Sequence, residues 1–201
     1  MLDARLRRWI DPPLDRLSAP LAAHGVSANA VTVAGFVIGL GAAAAIAWRA
    51  YLLGLALLLL NRLCDGLDGA IARRRGLTDL GGFLDIVLDF LIYSAVPFAF
   101  ALADPAANAL PAAFLIFSFV GTGASFLAYA IMAAKRGVAT ELRGRKSLYY
   151  IGGLTEGTET ILVFVLACLW PALFPWIALV FGLLCWLTTA TRIAVAVQTL
   201  R

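Results

Sequence analysis

Four aspartates define the chemistry open to this chain. Between positions 65 and 89 it reads D-G-L-D-G-A-I-A-R-R-R-G-L-T-D-L-G-G-F-L-D-I-V-L-D, so Asp65 and Asp68 are three residues apart and Asp85 and Asp89 four apart. Either spacing puts its pair on one helix face. Both pairs lie at or inside the ends of strongly apolar segments, and an aspartate at a membrane helix centre costs roughly 2.5–3.5 kcal/mol on an insertion scale. Carboxylates kept together there need a cation between them. Hard oxygen ligands suit Mg²⁺, Mn²⁺ or Ca²⁺. Four carboxylates can hold two such ions, which clamp the attacking and leaving oxygens of a phosphoryl displacement. Gly66 and Gly69 are expected to let a phosphate approach the backbone beside the ligands, and Arg73 adds a cation there. A structural acidic cluster balanced by Arg62, Arg73 and Arg74 is the plainer alternative. A proton or cation pathway is another, because intramembrane carboxylates also mark transport routes.

The elements that must position these carboxylates are apolar helices. Of the 201 residues, 62% are hydrophobic and 14% charged, against about 25% charged in soluble domains. The apolar residues come in long runs, which points to an all-α integral membrane protein. Six transmembrane helices are expected: Ala28–Trp48, Tyr51–Arg73, Leu80–Leu102, Leu110–Ala134, Leu148–Leu169 and Phe174–Val197. Each suits a hydrocarbon core about 30 Å thick. Residues 1–20 read as an N-terminal interfacial amphipathic helix, with Leu2, Leu6, Trp9 and Ile10 on one face and Arg5, Arg7, Arg8 and Arg16 reaching anionic head groups. Pro12 and Pro13 are expected to interrupt it. The first twenty residues are too charged for the apolar core of a cleavable signal. Residues 21–201 form one catalytic domain, with no internal repeat. Cys64, Cys168 and Cys185 all sit in apolar segments as small core residues.

Lysine and arginine set the orientation. One set of loops and ends carries Arg5, Arg7, Arg8, Arg16, Arg73, Arg74, Arg75, Lys135, Arg136, Arg143, Arg145, Lys146 and Arg201, and the other carries Arg49. Both termini, and the aspartate motif, are therefore expected at the cytoplasmic face. The turn between Arg73 and Gly81 makes the two aspartate-bearing helices antiparallel neighbours, so their carboxylates can converge.

With these residues in place, the chain resembles the CDP-alcohol phosphotransferase (CDP-alcohol phosphatidyltransferase) family. That family carries D-x2-D-G-x2-A-R, about eight residues, then G-x3-D-x3-D, and Asp65, Asp68, Gly69, Ala72, Arg73, Gly81, Asp85 and Asp89 match it. Seven residues, not eight, separate Arg73 from Gly81. The stretches N-R-L-C-D-G-L-D-G-A and G-G-L-T-E-G-T-E-T-I are most similar to the inner-membrane branch of the family. The resemblance implies transfer of a phosphatidyl-type group from a CDP-linked lipid, usually CDP-diacylglycerol, to an alcohol, with release of CMP. It implies two divalent ions, Mg²⁺ or Mn²⁺, held by Asp65, Asp68, Asp85 and Asp89, with Asp89 also the general base. Gly69, Ala72, Arg73 and Gly81 would line the nucleotide site. Asn29 and Thr32 resemble the family's cytidine-contacting P-N-x-x-T stretch, although Ala28 replaces the proline; capping of the helix by Ser27 and Asn29 is the alternative. A bacterial inner-membrane location and a homodimer are likewise implied, with no nucleic-acid partner. Gly35 and Gly39, and the small residues Gly121, Gly123 and Ser125, suit helix packing either within a monomer or between two.

Lys135, Lys146 and Arg192 are candidates for binding a polyol phosphate acceptor, against topology and anionic-lipid attraction for the loop. Glu156 and Glu159 would suit an amine or neutral alcohol, or pair with Arg192. Two non-enzyme alternatives remain: an ion or solute transporter, and a catalytically silent membrane assembly protein.

Overall fold

The computed structural model describes residues 2–136 and 154–200, and these are helical almost throughout. The helices are α1 (Leu2–Ala23), α2 (Ala28–Ala47), α3 (Tyr51–Arg75), α4 (Asp79–Ala103), α5 (Pro105–Lys135), α6 (Gly157–Leu169) and α7 (Phe174–Thr199). Among the described residues, α2, α4, α5 and the stretch Pro171–Thr199 are long and apolar enough to cross a membrane. Helix α3 has the length, at 25 residues. Its second half carries Arg62, Asp65, Asp68 and Arg73–Arg75, which lowers its apolar character. The expected fifth span begins outside the described residues, and its remainder is α6. Exposed side chains such as Val37, Phe98, Leu110, Phe117 and Leu183 give the bundle an apolar outer surface, as hydrocarbon requires of membrane-spanning helices.

Each chain reversal has a local cause. Arg49 adopts a left-handed φ of 63° between α2 and α3, and its Nε donates to the Ala103 carbonyl (2.8 Å), which closes the far end of α4. Helix α3 ends at Gly76, whose φ of 108° suits a residue without Cβ. Thr78 then caps α4, its hydroxyl accepting from the Gly81 amide at 3.1 Å. Asp104 caps α5 by accepting from the Ala107 amide (3.2 Å), with Pro105 at the first helical position. That cap and proline start α5 five residues before the expected Leu110.

Helix α1 differs from expectation. It runs through Pro12, Pro13 and Pro20 without a break. Consecutive prolines near the middle each forgo one backbone hydrogen bond, and packing offsets that loss. Leu14 and Ser18 are buried, and Arg74 of α3 donates to Ser18 Oγ (3.2 Å) and to the Asp15 carbonyl (2.8 Å). Gly66 serves this contact. A Cβ there would lie 2.6 Å from Leu14 Cδ1, so Gly66 admits α1 rather than the phosphate the sequence suggested.

Small residues also seat α2 on α3 and α4. A Cβ at Gly35 would fall 2.8 Å from Cys64 Cβ, and one at Gly39 would fall 2.6 Å from Ile92 Cδ1. The buried Asn61 side chain donates to the Gly35 carbonyl at 2.9 Å. This glycine pair therefore packs within one chain. Gly123 meets Phe90 of α4 in the same way. Deeper in the bundle, Phe100 stacks on Phe174 with centroids 4.3 Å apart, joining α4 to α7. Gly35→Ala should lower stability by about 1–3 kcal/mol, because a β-carbon cannot swing away as a side-chain tip can. Gly41→Ala should be neutral or mildly stabilising, since its nearest neighbour is Leu57 Cδ1 at 3.7 Å. Thermal unfolding of the two variants in detergent checks this contrast.

Candidate active site

The Gly76 turn and the Thr78 cap bring the start of α4 alongside the end of α3. Asp65, Asp68 and Asp85 each offer a carboxylate oxygen, and these oxygens lie within 4.8 Å of one another. Their exposure is graded: Asp68 is buried at 5%, Asp65 is intermediate and Asp85 is exposed. Among the described residues, Asp68 Oδ2 is buried with no hydrogen-bond partner. A buried carboxylate oxygen without a partner is costly, and a divalent cation is the group that would satisfy it. Three convergent hard oxygens fit Mg²⁺ or Mn²⁺.

Asp89 lies one turn further along α4 and is held differently. Its Oδ1 accepts from Arg62 Nη2 at 2.7 Å, and its Oδ2 accepts from the Tyr93 hydroxyl at 3.4 Å. Arg62 also approaches Asp65 Oδ2 to 3.8 Å. Asp89 shares one pocket with the other three aspartates, and Thr32 and Asn61 contribute to its wall. The sequence reading treated Arg62 only as a balancing charge. The signal for its position was its spacing, three residues before Asp65 and so on the same helix face.

The other candidates fall at different distances from this centre. Thr32 is on the pocket wall, its hydroxyl donating to the Ala28 carbonyl at 3.0 Å. Ser27, not Asn29, caps α2, accepting from the Ala30 amide at 3.2 Å. Asn29 is thereby left beside Gly81, where a Cβ would meet Asn29 Oδ1 at 3.1 Å. Gly69 has open space, with only Arg73 Nη1 near its missing Cβ, at 3.5 Å. Ala72 is partly buried on the same helix. Arg73 reaches Asp15 of α1 at 3.7 Å, both side chains about half exposed, a contact weak enough to be exchanged for an anion.

The acceptor candidates are more scattered. Lys135 is exposed at the end of α5, and Lys146 lies outside the described residues. Arg192 is buried at 6%, donates to the Thr122 carbonyl at 2.9 Å and stands 5.7 Å from the Phe126 ring centre, so it joins α7 to α5. Neither Lys135 nor Arg192 is on the wall of the aspartate pocket. Glu159 accepts from the Glu156 amide at 3.1 Å at the start of α6. That hydrogen bond gives Glu159 a structural role in helix capping.

The profile of the CDP-alcohol phosphatidyltransferase family matches residues 25–194. The inner membrane protein YnjF of Escherichia coli (strain K12) is 54% identical over 193 residues, covering 96% of this chain and 94% of its own. Archaetidylinositol phosphate synthase of Pyrococcus horikoshii is 29% identical over 191 residues, 94% of each chain. In fold, the chain is similar to the crystal structure of a Mycobacterium tuberculosis phosphatidylinositol phosphate synthase with CDP-DAG bound. The TM-score is 0.66 at 19% identity, over 90% of this chain and 92% of the other. A match over most of the chain, with the aspartates of the motif gathered on adjacent helix ends, leads to one conclusion: the chain belongs to the CDP-alcohol phosphatidyltransferase family and is an enzyme of that class.

Proposed function

We propose that this enzyme transfers a phosphatidyl-type group from CDP-diacylglycerol, or a close CDP-linked lipid, to the hydroxyl of a polyol phosphate. The observation that carries the reading is the convergence of Asp65, Asp68 and Asp85 around the buried, unpartnered Asp68 Oδ2. These carboxylates would hold a divalent cation, which supplies Lewis-acid stabilisation of the diphosphate charge. Asn29, Thr32, Gly69, Ala72, Arg73 and Gly81 would receive the CDP moiety. The open space at Gly69 and the exchangeable Arg73–Asp15 contact support that assignment. Asp89 takes the acceptor's hydroxyl proton as the oxygen attacks the lipid-side phosphorus. The new O–P bond replaces the bond to CMP, which departs with the bridging oxygen. Arg62 orients Asp89 by holding Oδ1 at 2.7 Å, and the longer 3.4 Å contact from Tyr93 leaves Oδ2 as the oxygen for the proton.

The wider arrangement follows from the same reading. Six membrane-spanning helices, α2 to α7, would form one catalytic domain, with α1 as an interfacial helix on the motif side. The Lys and Arg bias favours the cytoplasmic face of a bacterial inner membrane for the motif and both termini, and the Escherichia coli relative is an inner membrane protein by name. A homodimer is carried over from the family alone.

The archaeal relative's name supports a phosphorylated polyol as acceptor. The hydrogen bond between Glu159 and the Glu156 amide removes one argument for an amine. Lys135, Lys146 and Arg192 are the residues proposed to bind its phosphate. The test is an acceptor panel with purified protein and CDP-diacylglycerol, read as CMP and new lipid by mass. Glycerol phosphate or inositol phosphate should yield both in equal amounts. Product formed only with free inositol or ethanolamine would overturn the acceptor assignment.

A further inference from the structure

Arg62 is fixed on every side. Its Nε donates to Asn61 Oδ1 at 2.8 Å, and Asn61 Nδ2 donates in turn to the Gly35 carbonyl at 2.9 Å. Its Nη2 donates to Asp89 Oδ1 at 2.7 Å, and Nη1 stands 3.8 Å from Asp65 Oδ2. Its Cζ lies 5.6 Å from the Tyr93 ring centre. The side chain is 15% exposed. A guanidinium does not lose its proton in a protein, and its fork allows one arrangement of partners where an ammonium would allow many. The hydrogen bonds from α2 through Asn61 therefore hold a permanent positive charge between Asp65 and Asp89.

We infer that, before donor binding, Arg62 stands in for one of the two cations expected of this motif, so that the resting enzyme binds a single divalent ion at Asp65, Asp68 and Asp85. The inference rests on the metal reading of those three carboxylates and concerns the position beside them. A second ion held by Asp65 and Asp89 would have to share both carboxylates with the guanidinium. Asp89 Oδ1 is already engaged at 2.7 Å, and like charge opposes the approach. Among the described residues, Asp68 Oδ2 has no hydrogen-bond partner, and it is the oxygen left for the first ion. Arg62 is thus a positioning residue: it orients Asp89 through Oδ1 and leaves Oδ2, with its longer 3.4 Å contact to Tyr93, as the oxygen that takes a proton.

The test counts ions without turnover. Donor-free, full-length protein in detergent is titrated with Mn²⁺, and unbound Mn²⁺ is read from its paramagnetic resonance signal. Wild type should bind about one Mn²⁺ per chain, and Arg62→Met about two, as carboxylate pairs freed of a guanidinium can bridge a second ion. Arg62→Lys keeps the charge and should restore about one, which a purely structural role would not produce. Adding Asp89→Asn to Arg62→Met should return the count to about one, because it removes the proposed ligand. Two ions in wild type, or one in a folded Arg62→Met protein, would overturn the inference and leave the metal reading standing. No bound Mn²⁺ in wild type would overturn both. If Arg62→Met does not fold, Arg62→Gln, which also removes the charge, is counted in its place with the same two outcomes.

Discussion

Asp89→Asn is expected to lower CMP release from a CDP-linked lipid by about 10²–10⁴-fold, the range for loss of a positioned general base. The substitution is close to isosteric. The asparagine oxygen can still accept from Arg62 Nη2, which now bonds Asp89 Oδ1 at 2.7 Å. The new amide can donate to the Tyr93 hydroxyl, which now bonds the other oxygen at 3.4 Å. Packing around the site is thereby kept, and the thermal unfolding temperature should move little. What is lost is a basic oxygen for the acceptor's proton. A large fall in rate with an unchanged unfolding temperature and retained CDP-lipid binding is the expected signature. A similar fall accompanied by unfolding would indicate that the Arg62–Asp89 pair is chiefly structural.

Asp68→Asn should act on both metal binding and stability, with opposite signs. Asp68 is buried at 5%, and its Oδ2 has no hydrogen-bond partner among the described residues. Asp65 and Asp85 lie close enough for the three to share one cation. Removing one negative charge from that cluster should stabilise the metal-free protein, since buried charge without compensation is unfavourable. The same change removes a ligand. Loss of outer-shell partners alone weakens metal sites about 10–100-fold, so loss of a ligand should weaken Mn²⁺ affinity by at least about 100-fold. In wild type, an ion at about 100 times its dissociation constant adds roughly 2.7 kcal/mol of stability. That increment should vanish in Asp68→Asn, and with it CMP release. Thermal unfolding with and without Mn²⁺ measures both signs in one experiment. A variant less stable than wild type without metal would contradict the assignment of Asp68 as a ligand left unpaired for a cation.

Much of this was legible in the sequence because helix length and aspartate spacing are local properties. The segment expected over Ala28–Trp48 is α2, Ala28–Ala47, and the one over Tyr51–Arg73 is α3, Tyr51–Arg75. The family motif was readable because its eight positions fall within one helix hairpin. Less legible were features set by tertiary contact. Two prolines do interrupt an isolated helix, but in α1 burial of Leu14 and Ser18 against α3 overrides that preference. Gly66 looked like room for a phosphate because its neighbour Leu14 is distant in sequence. Arg62 could be placed on the aspartate face by its spacing from Asp65. Its engagement with Asp89, 27 residues later, depends on how α3 and α4 face each other and on the Asn61 contact with α2. Asp104 and Pro105 were a readable start for α5, and the apolar run beginning at Leu110 concealed it.

The central claim is that the aspartate cluster performs metal-dependent transfer from a CDP-linked lipid. The most direct measurement is CMP release from CDP-diacylglycerol by purified wild-type protein and Asp89→Asn. Both are assayed with Mn²⁺ and with a chelator, in the presence of a polyol phosphate. Release that requires the metal and the acceptor, and that falls about 10²-fold or more in the variant, is the predicted result. Release that persists with chelator or in Asp89→Asn would contradict the claim.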